Sequence, residues 1–186
     1  EFGQTPQLFL KSILKIIFEG NNFNEEKYSY VSNGHWGNGA IRNYVWGCIH
    51  LKDPENNELQ FSRSPQLAIG IDNYAIRFGF FFGDNIAATD PIITEVKRDN
   101  ELLGEILSAV NMNPNISFVS QSEISEIYHE DTRGRELTVL EINNLDDLRN
   151  SWEKSIKFYV RIEQENLDDN SFDEILNTLN YLAPIF

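Results

Sequence analysis

Cysteine occurs once in these 186 residues, at Cys48, so no disulfide can form within the chain. Disulfide-dependent secreted scaffolds are thereby excluded. No apolar run reaches bilayer-spanning length and no secretory signal segment is present, which together with the lone thiol leads us to expect a cytoplasmic protein. There is no phosphate-binding P-loop, no Gly-x-Ser-x-Gly elbow, no internal repeat and no low-complexity tract. Basic residues are scarce as well: 15 Lys and Arg stand against 29 Asp and Glu, a net charge of -14. Taken whole, that balance opposes tight nonspecific binding to a polyanion.

What is present is the composition of an ordinary globular domain, 41% hydrophobic and 24% charged. A chain of this size buries roughly 70% of its unfolded surface without staples, so a single domain is expected. The charge is unevenly spread, -3 over residues 1–99 and -11 over residues 100–186. Any nucleic-acid contact should therefore come from the first half, where Arg42, Lys52, Arg63, Arg77, Lys97 and Arg98 lie among most of the aromatic residues. Glu1-Phe2-Gly3 reads as a cloning remnant, and the apolar end Pro184-Ile185-Phe186 fits a domain excised from a longer protein.

The periodicity is mixed. Leu8, Phe9, Ile13, Ile16 and Ile17 make a helical stripe after Pro6, stopped by Gly20-Asn21-Asn22. Tyr44 to Leu51 reads as a strand after a turn-rich stretch from Ser32 to Asn43. Leu67 to Ile71 and Tyr74 to Phe80 form a hairpin about Asp72-Asn73, with Ile76, Phe78, Phe80 and Phe82 on one face. Asp90-Pro91 begins a helix expected to run unbroken to about Val110. Ile116 to Val119, Glu136 to Ile142 and Ser155 to Ile162 read as strands, and Asn144 begins a short helix through Trp152. A capping box at Ser171-Phe172-Asp173-Glu174 opens the last helix, with Phe172, Ile175, Leu176, Leu179 and Leu182 inward. The expected fold is α+β, a central mostly antiparallel or mixed sheet with helices packed on it.

Two constellations have the residue types of metal chemistry. His35, Cys48 and His50 are grouped, and Cys48 and His50 share a strand face, but no second Cys or nearby His completes a familiar ligand spacing. Asp84 followed by Glu95-Val96-Lys97 has the carboxylates and lysine of metal-dependent nucleases. That chemistry needs Glu and Lys on a strand, whereas residues two apart on a helix diverge. Both are better read as structural, so neither a metal nor a cofactor is expected and the fragment is expected to catalyse nothing.

The segment Gly34-His35-Trp36-Gly37-Asn38-Gly39-Ala40-Ile41-Arg42-Asn43-Tyr44-Val45-Trp46 is the most informative. Glycines let a backbone approach a ligand closely, and the tryptophans offer flat faces. A nucleobase stacked on an aromatic side chain gains about 1 to 3 kcal/mol, with Asn or backbone groups free to read its edge. The alternative is that Trp46 and Tyr44 are core residues and the glycines only a turn.

The run Gly34-His35-Trp36-Gly37-Asn38, followed by an aromatic-rich strand containing Trp46, resembles the N-terminal DNA-recognition domain of McrB-type modification-dependent restriction proteins. The stretch from Ser64 through Phe80 is similar to domains associated with such AAA+ ATPases. The resemblance implies an α+β module ahead of a GTP-hydrolysing AAA+ motor that partners a nuclease subunit. It implies binding of double-stranded DNA, with a modified cytosine flipped into an aromatic pocket. Trp36 and Trp46 would be the walls, with Tyr44, Gly37 and Gly39 beside them. Asn38 and Asn43 would face the base edge, and Arg42, Lys52, Arg63 and Arg77 the phosphates. An acidic module docking a basic protein partner, as immunity proteins and DNA mimics do, is the alternative.

Overall fold

The structure is a computed structural model and describes residues 6–23, 27–32, 44–51, 65–72, 75–82, 91–121, 137–151 and 156–185. Helix α1 (Pro6–Gly20) opens on a proline, whose missing N–H is not needed in the first turn. Beyond its end Asn22 takes a φ of 50°, a left-handed conformation that Asn tolerates. Its inward stripe is Leu10, Ile13, Leu14 and Ile17, all fully buried. Leu8 and Ile16, expected inside, are 49% and 45% exposed. The helix is apolar on more than one side, and docking on the sheet decides which side turns in.

Seven strands among the described residues form one sheet in which every pairing is antiparallel: β1 (Lys27–Val31), β2 (Tyr44–Leu51), β3 (Pro65–Asp72), β4 (Ala75–Phe82), β5 (Ser117–Gln121), β6 (Leu137–Val139) and β7 (Ile156–Glu163). The spatial order is β1-β2-β3-β4-β7-β5-β6, so β7 inserts between β4 and β5. The antiparallel alternative of the expected sheet is the one found. Strand β1 was not expected; it is five residues long and lies at the sheet edge. In the β3–β4 hairpin Ile71 pairs with Ile76 and Leu67 with Phe80. This register centres the connection between positions 73 and 74, one residue later than expected.

One sheet face carries the core. Directly opposed residues share a face, so Val31, Gly47, Ile69, Phe78 and Val160 form a continuous row across β1, β2, β3, β4 and β7. Helix α1 lies on β1 and β2, and α5 (Ser171–Leu182) on β4. Gly47 allows the α1 approach: a Cβ there would stand 2.7 Å from Leu14 Cδ1 and 2.9 Å from the Tyr30 carbonyl oxygen. Asn21 Nδ2 donates to Asn180 Oδ1 at 2.8 Å, tying the end of α1 to α5.

The helix expected from Asp90 onward is two helices, α2 (Pro91–Arg98) and α3 (Asn100–Met112). Asp99 separates them, its carboxylate accepting the Glu101 and Leu102 N–H groups at 3.0 Å as the N-cap of α3. Helix α4 (Leu145–Ser151) is capped as expected, with Asn144 Oδ1 accepting the Asp146 and Asp147 amides at 2.9 Å. The capping box at Ser171 does not form. The Ser171 hydroxyl instead faces Asp168, donating to its carboxylate at 3.0 Å, and this bond together with the Asn170 N–H holds the Asp168 carboxyl below its ordinary pKa. Ile175, Leu179 and Leu182 of α5 are buried, whereas Phe172 is 38% exposed and meets the ring of Phe9 at 6.2 Å.

Candidate functional site

The other face of the sheet carries the polar and aromatic residues singled out from the sequence. Alternation along β2 turns Val45, Gly47 and Ile49 toward α1 and Trp46, Cys48 and His50 away from it. Cys48 and His50 do share a face and are fully buried, as are Gln66 and Ala68 beside them on β3, to within 7%. Burial pushes the Cys48 thiol well above its ordinary pKa. It is a buried strand residue and not a nucleophile. Among the described residues no three His, Cys, Asp or Glu side chains stand close enough to hold a metal ion. His35 and Asp84 lie outside the described residues, and Glu95 and Lys97 fall on α2, a helix as expected.

Trp46 is half-buried and does not belong to the apolar cluster that fills the core. Its ring lies 5.4 Å from that of Tyr30 on β1, tilted by 46°. Its backbone is fixed by the residue that follows β1: the Ser32 N–H donates to the Trp46 carbonyl at 2.8 Å, and the Trp46 N–H donates to Ser32 Oγ at 3.0 Å. Across the sheet Trp46 pairs with Gly70, and Gly70 with Arg77. Trp46 and Arg77 thus stand two strands apart, about 10 Å, with no side chain on the residue between them.

Arg77 was expected at a DNA phosphate. Its side chain is instead 12% exposed and ion-paired through Nη1 to Asp72, whose side chain is fully buried. Asp72 Oδ1 also accepts the Ala75 N–H at 3.0 Å, so the pair braces the β3–β4 connection. The charge of Arg77 is thereby matched inside the fold. Its Nε–H is buried with no acceptor among the described residues. A buried donor of this kind is one that a bound group can satisfy.

Of the remaining expected residues, Tyr44 begins β2 opposite Asp72. Trp36, Gly37, Asn38, Gly39, Arg42 and Asn43, and also Lys52 and Arg63, lie outside the described residues. Connectivity still separates them into two groups. Residues 33–43 join the sheet at Tyr44 and residues 52–64 leave it at Leu51, opposite ends of a strand about 23 Å long. The Trp36 segment attaches at the Trp46 and Asp72 end, and the segment with Lys52 and Arg63 at the other.

No family model matches this sequence, and no curated protein matches it. The site therefore has to be read from its own geometry. A second polar feature brings Lys97 and Arg98, two of the cations noted in the first half, together with Arg149 at an open cavity. Arg149 sits fifty residues away in an acidic stretch, and no spacing rule connects it to α2. No helix among the described residues is long and apolar enough to cross a membrane.

Proposed function

We propose that the protein is a DNA-binding specificity module of the McrB type, recognising a modified cytosine that is flipped out of the duplex against Trp46. The observation that supports this reading is the position of Trp46. It is half-buried, packs beside Tyr30 outside the core cluster, and stands near the strand end where the Gly34–Asn43 segment joins. Trp36 completes the pocket in this reading, with Asn38 and Asn43 reading the base edge, and Arg42 is the phosphate contact on the same segment. In this reading the module carries no catalytic role; a motor and a nuclease subunit would supply those.

The test pairs a DNA titration with urea unfolding. Binding to a duplex bearing 2-aminopurine beside a modified cytosine should raise fluorescence, and Trp46→Ala should weaken that binding by about 1 to 3 kcal/mol. Its cost in stability should stay below the roughly 3 to 5 kcal/mol of a core tryptophan. Equal affinity for modified and unmodified duplexes with no fluorescence change overturns the reading. The second reading, docking of a basic protein, is favoured by the exposed run of Glu165, Asp168, Asp169 and Asp173 around the start of α5.

A further inference from the structure

We propose that the cavity at the junction of α2, α3 and α4 is a phosphate-binding site, separate from the aromatic face. The cavity is open to solvent, has a volume of about 460 Å³, and is lined by Thr94, Lys97, Arg98, Asn100 and Arg149. That volume is within the range of small-ligand pockets. Three of its five lining residues are cations in a chain whose net charge is -14. Gathering like charges around a concavity is unfavourable unless an anion occupies it.

One of the three cations, Arg149, is held in place. Arg149 Nε–H donates to the Lys97 carbonyl at 3.0 Å and Nη2 to Asn100 Oδ1 at 2.7 Å, which fixes the plane of the guanidinium against both α2 and α3. Nη1 pairs with Asp146, whose side chain is 81% exposed, a pairing that screening makes weak. Arg149 has five N–H donors and these contacts use three, leaving two for a ligand. Lys97 and Arg98 have no ion pair or side-chain hydrogen bond among the described residues. Their place in the last turn of α2 suits the helix dipole, but the dipole does not account for the third cation brought from α4. A phosphate group, with several acceptor oxygens and a charge that a guanidinium fork matches, satisfies all three.

The phosphate has two possible sources, a DNA backbone or a free phosphate, and one experiment separates them. The Arg149 Nε–H resonance is followed by NMR while inorganic phosphate, a short DNA duplex, or chloride at matched ionic strength is added. Phosphate or duplex should give a saturable shift that chloride does not. The double variant Lys97→Gln, Arg98→Gln removes two charges that make no ion pair among the described residues and should weaken that binding about tenfold or more with the melting temperature retained. Arg98→Gln alone serves if the double variant folds poorly. If the backbone is the source, the variant also lowers the slope of log affinity against log salt by about 1 to 2. A response to phosphate without duplex binding supports the site with a free phosphate as its source, and counts separately against the DNA reading. Shifts that follow ionic strength in all three titrations, or a variant that binds like wild type, overturn the proposal.

Discussion

The hydroxyl of Ser32 replaces a main-chain carbonyl opposite Trp46: Oγ accepts the Trp46 N–H at 3.0 Å while the Ser32 N–H donates to the Trp46 carbonyl at 2.8 Å. The pairing of β1 with β2 is thus carried one residue past Val31 by a side chain. Ser32 is 2% exposed, so removing the hydroxyl leaves a sheltered N–H without its acceptor. Ser32→Ala should cost about 1 to 3 kcal/mol in urea unfolding and alter the near-ultraviolet signal of Trp46. Ser32→Thr, which keeps an oxygen there, should lose less.

Gly47→Ala should destabilise the protein by about 1 to 3 kcal/mol through overpacking. The new Cβ would meet Leu14 Cδ1 at 2.7 Å and the Tyr30 carbonyl oxygen at 2.9 Å. Leu14 can shift, but the Tyr30 backbone cannot without moving β1. Adding Leu14→Ala should therefore fail to rescue Gly47→Ala, which a double-mutant cycle by denaturation will show.

Arg77→Ala should cost about 3 to 5 kcal/mol, because it removes the counter-charge of the fully buried Asp72 carboxylate. Replacing both residues with Ala should recover a substantial part of that loss. Additive costs in the double-mutant cycle would mean that the two charges do not depend on each other.

Cys48 should resist thiol reagents in the native protein and react at once in urea. Its side chain is inaccessible and burial raises its pKa far above the ordinary value of 9.0. The sign of the pH effect follows from that direction. As pH rises past the ordinary value, the unfolded chain loses the thiol proton and the folded chain keeps it, so stability falls at alkaline pH. In Cys48→Ala this alkaline decline should be smaller, as measured by urea midpoints between pH 7 and pH 10.

Much of this fold is legible in the sequence where one signal acts alone. The aromatic and β-branched run of Tyr44 to Leu51 marks β2 at both ends. The alternation of Ile76, Phe78 and Phe80 marks the buried face of β4. Legibility fails where two signals compete or where the partner is distant in sequence. Asp99 sits inside an apolar helical pattern, and only its capping bonds break α2 from α3. Ser171 has the spacing of a capping box, yet Asp168 takes its hydroxyl. Arg77 stands out as a cation on the polar strand face, but a lone strand does not show that Asp72 meets it across the hairpin. For the candidate site, the placement of Trp46 away from the core follows from alternation once Gly47 is known to face α1, which composition does not reveal.

The insertion of β7 between β4 and β5 has a consequence for how the chain is made. The β1–β4 meander can zip up as it leaves the ribosome, since each strand pairs with its sequence neighbour. Yet β4 and β5 then wait with bare edges until residues 156–163 emerge. A polypeptide halted in that interval presents two open strand edges, the surfaces through which nascent chains stick to one another. The closing strand is the last of the seven in chain order and sits in the interior of the sheet, so exposure to aggregation should be greatest in the interval after β6 has emerged and before β7 has.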